Sequence, residues 1–129
     1  MKRIYLALLA LTVGLVIGAL PAAAHHGNAA YDMEKVVPLK ATITGFEFGN
    51  PHVQIFFDTK DDNGKVVHWN CEGTNPAMLQ RIGWTRNTLK PGDQVTLYVH
   101  PNKDPQITVG LLVKAVLANG QVLESKNPV

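Results

Sequence analysis

Five histidines stand in the sequence, His25, His26, His52, His68 and His100, and two of them sit where an unusual donor set is on offer. The run Ala22-Ala23-Ala24-His25-His26-Gly27 reads as a small-residue cleavage site followed by a double histidine. Cleavage after Ala24 would make His25 the first residue of the mature chain. A free α-amine and an imidazole on one residue can chelate a single metal ion. An internal histidine cannot do this, because its backbone nitrogen is locked in an amide. Imidazole suits Zn, Cu and Ni, and a nitrogen set with little sulfur leans toward Cu(II) in a tetragonal arrangement. The expected metal ligands are therefore His25 and His26, with His52 as a third that folds back on them, and the expected ion is Cu(II). A structural zinc would usually ask for four tetrahedral ligands, which the sequence does not assemble.

A second group is Trp69-Asn70-Cys71-Glu72. A carboxylate and a thiol near a metal would both matter, so Glu72 and Cys71 are weaker candidate ligands. Glu72 could also orient a histidine from outside the ligand set. Cys71 alternates with Trp69 and Val67, the pattern of a small buried apolar residue. His68 is expected on the opposite, exposed face of that strand, and His100, before Pro101, at a strand end.

Hydrolytic or nucleophilic chemistry finds no support. The single serine, Ser125, lies near the C-terminus, where the last residues are expected to fray. Cys71 and His68 are at an odd offset on one strand, which sends their side chains to opposite faces and argues against a dyad. There is no phosphate-cradling glycine loop and no His-Glu-x-x-His helix. An enzyme is not the expectation.

These side chains need elements to position them, and those elements start after a leader. Lys2 and Arg3, an apolar run from Ile4 to Leu20, Pro21 and the three alanines form the three parts of a secretory signal over residues 1–24. The expected localisation is periplasmic, with cleavage after Ala24 and no stable membrane span afterwards. What remains of the 129 residues is enough for one modest core. Twelve Lys and Arg stand against ten Asp and Glu, and two of the twelve are in the leader, so the mature part is neutral. With no basic stripe, a nucleic-acid partner is not expected. One cysteine allows no internal disulfide, so the core alone must hold the fold.

Residues 25–38 show neither a period of 2 nor one of 3.6 and read as an irregular arm able to fold back over a core. A β domain follows over 39–125. Leu39, Ala41 and Ile43 alternate with polar residues, and Gly45 breaks the phase as a bulge would. Val53, Ile55 and Phe57 mark a second strand, Asp61-Asp62-Asn63-Gly64 a hairpin turn, and Val66 to Cys71 a third strand. Thr74-Asn75-Pro76 opens a short helix that Gly83 stops, with Trp84 beneath it. Val95, Leu97 and Val99 make a fourth strand, the apolar run Leu111 to Ala118 a fifth strand or strand pair, and Asn119-Gly120 a turn into a short last strand. This order predicts a mainly β fold, a small five- to six-stranded Greek-key barrel of the OB type with one short helix. Trp69, Val53, Ile55, Val95, Leu97 and Leu111 are expected to share its core.

The chain resembles a family of small exported bacterial proteins classed as a domain of unknown function. The resemblance covers nearly all of the mature part. It rests on His25-His26-Gly27 with Tyr31-Asp32, Gly45, Asn50-Pro51-His52-Val53, Trp69, Glu72, Gly83-Trp84, Leu89-Lys90-Pro91-Gly92-Asp93 and His100-Pro101. Phe48 and Cys71 are where the sequence departs from that pattern. The resemblance implies export, a small barrel and a mature terminus of two histidines, and it brings no activity with it.

Two functions follow as expectations. One is a periplasmic protein that binds Cu(II) for handling or delivery. The alternative is a non-metal structural or ligand-binding barrel of the cell envelope. Its open face, with Phe56 and Tyr98 as exposed aromatics, would contact an envelope protein, a glycan or a small apolar molecule.

Overall fold

Alternating burial along the strands sets the architecture. The computed structural model describes residues 28–126. Val53, Ile55 and Phe57 are buried while Gln54, Phe56 and Asp58 are not, and Val95, Leu97 and Val99 alternate in the same way with Thr96 and Tyr98. Six strands carry this pattern: β1 (Val37–Glu47), β2 (Gln54–Lys60), β3 (Val66–Glu72), β4 (Gln94–Pro101), β5 (Val109–Val116) and β6 (Val122–Glu124). One short helix, α1 (Pro76–Arg81), lies between β3 and β4.

The long first strand serves two neighbours. Its N-terminal half, Val37 to Thr42, pairs antiparallel with β4, and from Thr42 to Glu47 it pairs with β2. The register slips between Ile43 and Gly45, which is the bulge expected there, and the bend it introduces lets one strand turn a barrel corner. β2 and β3 form the predicted hairpin. The Asp61 carboxylate accepts from the amides of Asn63, at 2.9 Å, and Lys65, at 2.8 Å. β3 then pairs in parallel with β5 from Asn70–Val109 to Glu72–Leu111, and β5 pairs antiparallel with β4. The ring β1-β2-β3-β5-β4 is thereby closed, as expected of an OB-type barrel, and β6 hangs on the outer edge of β5.

α1 starts as its sequence dictates. The Asn75 side chain accepts from the Met78 amide at 3.0 Å, Pro76 fills the first turn, and Gly83 ends the helix at φ +102°, a backbone conformation that costs glycine nothing. Leu79 of the helix and Trp84 just after it are fully buried with Phe48, Val53 and Leu123 in the core cluster.

The core matches expectation with one correction. Val53, Ile55, Val95 and Leu97 are buried together, and Trp69 packs on them half-buried, its ring stacked on Phe57 at 6.1 Å. Leu111, however, is only half-buried, and Leu112 occupies the core in its place. Between Tyr98–Lys114 and Val99–Leu112 the β4–β5 register shifts by one residue, which turns Leu112 inward. Lys114 sets a phase that plain alternation would carry inward to Leu111, but the extra residue at Val113 reverses it, and no glycine or turn residue announces that slip. The last residues also differ from a fraying tail as far as they are described. Ser125 is buried, and its amide donates to the Val113 carbonyl at 2.9 Å.

Candidate functional site

His52 owes its place to the chain just before β2. The Val53 amide donates to the Thr74 carbonyl at 3.1 Å and the Gly73 amide donates back to the Val53 carbonyl at 2.8 Å. That clamp sets residue 52 two residues beyond the rung Gln54–Glu72. His52 Nδ1 lies 2.5 Å from Glu72 Oε1, with the imidazole half in solvent, 52% exposed, and the carboxylate 31% exposed. Glu72, expected as a weaker ligand or as an orienting group, is thus placed against the ring of His52.

The other described histidines follow a related rule. His68, exposed as expected, has its Nδ1 2.6 Å from Asp58 Oδ1, its opposite residue across β2–β3. At the end of β4, His100 Nδ1 lies 2.8 Å from the Lys35 carbonyl. In all three rings Nδ1 is spent on an oxygen acceptor. In the neutral imidazole the proton then sits on Nδ1 and the lone pair on Nε2.

The arm does fold back where it is described. Asp32 donates its amide to the Pro101 carbonyl and Lys103 donates to that of Ala30, both at 2.9 Å, while Tyr31 bridges to Asn102. Tyr31 is buried, and burial first, then the charge of Glu72, push its phenol above the ordinary range. A side chain from an arm without periodicity therefore sits close enough to Glu72 to feel its charge. Only its aromatic type marked it in the sequence.

Cys71 is fully buried in the core cluster, and burial, then the Glu72 charge, hold its thiol well above the usual range. The structure places it with the packing, protonated, one residue from Glu72 on the other face of β3. His25 and His26 lie outside the described residues, as do residues 1–24, over which a cleaved leader is expected. Among the described residues no three His, Cys, Asp or Glu side chains converge on one point, and no helix is long and apolar enough to cross a membrane.

A different feature occupies the barrel's other end. A groove of about 1200 Å³ opens there, its lining including Leu39, Ala41, Val67, Trp69, Val95 and Leu117. Phe56 and Tyr98, expected as exposed aromatics, are half-buried and lie outside it. The Lys114 ammonium sits 4.7 Å from the centre of the Tyr98 ring.

Compared with known protein families, the chain matches the model of a family of unknown function, DUF6152, over residues 12–111, and it belongs to that family. Neither the curated proteins nor the solved structures contain a match to it.

Proposed function

We propose that this member of the family is an exported, periplasmic barrel protein that binds Cu(II) through its mature N-terminus. The α-amine and ring of His25 supply two nitrogens, and His26 and the Nε2 of His52 complete a planar nitrogen set. The observation that carries the reading is the half-exposed ring of His52, anchored at Nδ1 by Glu72 and with no partner for Nε2 among the described residues. Ligating histidines characteristically give their second nitrogen to a carboxylate in this way. The arm supports it as well. Tyr31 is held near Glu72, and the turn from Asn28 to Tyr31 leaves three residues, about 10 Å of chain at most, between Asn28 and His25. Copper stands highest in the divalent affinity series, so Cu(II) binds more tightly than Zn(II).

Amino-terminal sequencing of periplasmic material tests the first step and should begin at His25. Copper titration followed by spin resonance tests the second, on mature protein, on a variant with one Gly ahead of His25, and on His26→Ala and His52→Ala. The added glycine takes the α-amine from His25 and should change the spectrum although every imidazole remains. Identical spectra from all four proteins, or no binding tighter than roughly micromolar, would overturn the reading.

The groove at the far end favours a second reading, a barrel that binds a small apolar molecule against Trp69. It predicts ligand-dependent Trp69 fluorescence that is indifferent to copper and to the first residue of the chain.

A further inference from the structure

We infer that the groove takes a fatty acid in monomer form, with the tail lying along Trp69 and the carboxylate between Lys40 and Lys60. The inference rests on the reading of that groove as a site for an apolar molecule, and adds to it the charge and the shape of the ligand.

The groove exists because two paired strands part. β1 and β2 are in register from Glu47–Gln54 to Thr42–Asp58 and pair no further, although β1 reaches back to Val37 and β2 runs on to Lys60. Over those same residues β1 stays paired with β4, and β2 with β3. The barrel wall is therefore split from this end inward. At the opposite end Leu79 and Trp84 are fully buried, with Leu79 against the strand ends at Val53 and Gly73. At the split, Leu39, Trp69 and Leu117 pack on the same core and yet stay half-buried, and Val66 on the lining is 46% exposed. Uncovered apolar surface continuous with a core is what the apolar part of a ligand covers. The lining includes every residue from Pro38 to Thr42, a span of about 13 Å at about 3.3 Å per residue. That is the length of about ten extended methylenes with carbon–carbon bonds of about 1.5 Å.

The head group follows from the charges on the lining, which are Lys40, Lys60, Asp58 and Asp61. Both carboxylates are engaged already. Asp58 Oδ1 lies 2.6 Å from His68 Nδ1, and Asp61 Oδ1 accepts from the amides of Asn63 and Lys65. Neither lysine forms an ion pair with a described residue. Continuing the register past Thr42–Asp58 would set Lys40 opposite Lys60, each two residues from that rung, so both stand on one face, on either side of the split. Like charges so placed repel each other, and an anion between them is attracted to both. A carboxylate has two oxygens to offer, one to each ammonium.

The test titrates the protein with decanoate, decanol and decyltrimethylammonium, each below the concentration at which it forms micelles. Heat and tryptophan emission are followed, with Trp69→Phe to assign the emission change. Decanoate should bind best of the three, its affinity should fall as salt is added, and from hexanoate to decanoate it should rise by up to about fourfold per methylene. Replacing both exposed lysines, Lys40→Gln with Lys60→Gln, should weaken decanoate by up to about fivefold for each lysine and leave decanol unchanged. If decanol binds as tightly as decanoate, or if the double variant holds decanoate as wild type does, the assignment of the head group is overturned while the apolar site stands. Tighter binding of decyltrimethylammonium would also overturn it and give the mouth of the split to Asp58 and Asp61. Binding to phosphatidylglycerol vesicles without binding of decanoate would make the groove a membrane contact instead. If no probe binds, the apolar-ligand reading falls, and this inference falls with it.

Discussion

The indole nitrogen of Trp84 donates to the backbone carbonyl of Glu124 at 2.8 Å, joining the residue that follows α1 to the last strand forty positions away. Trp84 is fully buried, and the bond, itself part-buried, gives its indole N–H the partner that a buried tryptophan needs. Trp84→Phe removes that donor and part of the ring volume. It should cost about 1 to 3 kcal/mol, the sum of a lost hydrogen bond and a small cavity, measured by urea unfolding. An unchanged midpoint would mean that β6 is held by Leu123 alone.

The slip in the β4–β5 register makes a directional prediction about neighbouring leucines. Leu97→Ala and Leu112→Ala each empty a buried site and should cost about 2 to 5 kcal/mol. Leu111→Ala, on the half-buried side, should cost clearly less than either. Equal losses at Leu111 and Leu112 would show that the register drawn for β5 is wrong.

Much of this was legible beforehand. The hairpin turn at Asp61–Gly64 and the alternation on either side determine which residues of β2 and β3 face the core. They also put His52 two residues beyond the rung that sets position 54 opposite 72, on the same face as Glu72. What escaped the sequence has physical reasons. Leu111 and Leu112 exchange faces because of an extra residue at Val113, which no glycine or polar residue announces. Tyr31 and the Lys35 carbonyl are held by contacts far along the chain, with Asn102 and His100, which no local period announces. Ser125 is buried because β5 offers it a backbone partner.

Cys71 gives a pH prediction. Its thiol is pushed up by burial and then by Glu72, so the folded protein binds that proton more tightly than the unfolded chain does. The corresponding stability is fully present below the ordinary thiol value of 9.0 and is lost as pH rises above it. Tyr31, also raised, acts in the same direction above 10.0. Unfolding free energies between neutral and alkaline pH should fall more steeply for wild type than for Cys71→Ala. At neutral pH a thiol reagent should label Cys71 only when the chain opens. Rapid labelling of native protein would contradict the burial.

Gly110 lies where a side chain has no room, since a Cβ there would stand 2.9 Å from the Cβ of Val99. Gly110→Ala must push β5 off β4 beside the ring closure and should cost about 1 to 3 kcal/mol, read as a lower melting temperature. A neutral effect would mean that the two strands can separate freely.

The ring is completed by only three residue pairs, Asn70 to Glu72 against Val109 to Leu111, whereas every other joint between the barrel strands is longer. In time rather than in space, this is the place where the native molecule should open first. Amide protons that bridge β3 and β5, such as that of Asn70 donating to Thr108, should exchange with solvent through a local excursion well short of global unfolding. Those between β1 and β4 should wait for the whole barrel to come apart. Glu72 sits on the short joint, so each excursion would also loosen its hold on His52. The lifetime of the closed seam would then set how long that imidazole keeps one orientation.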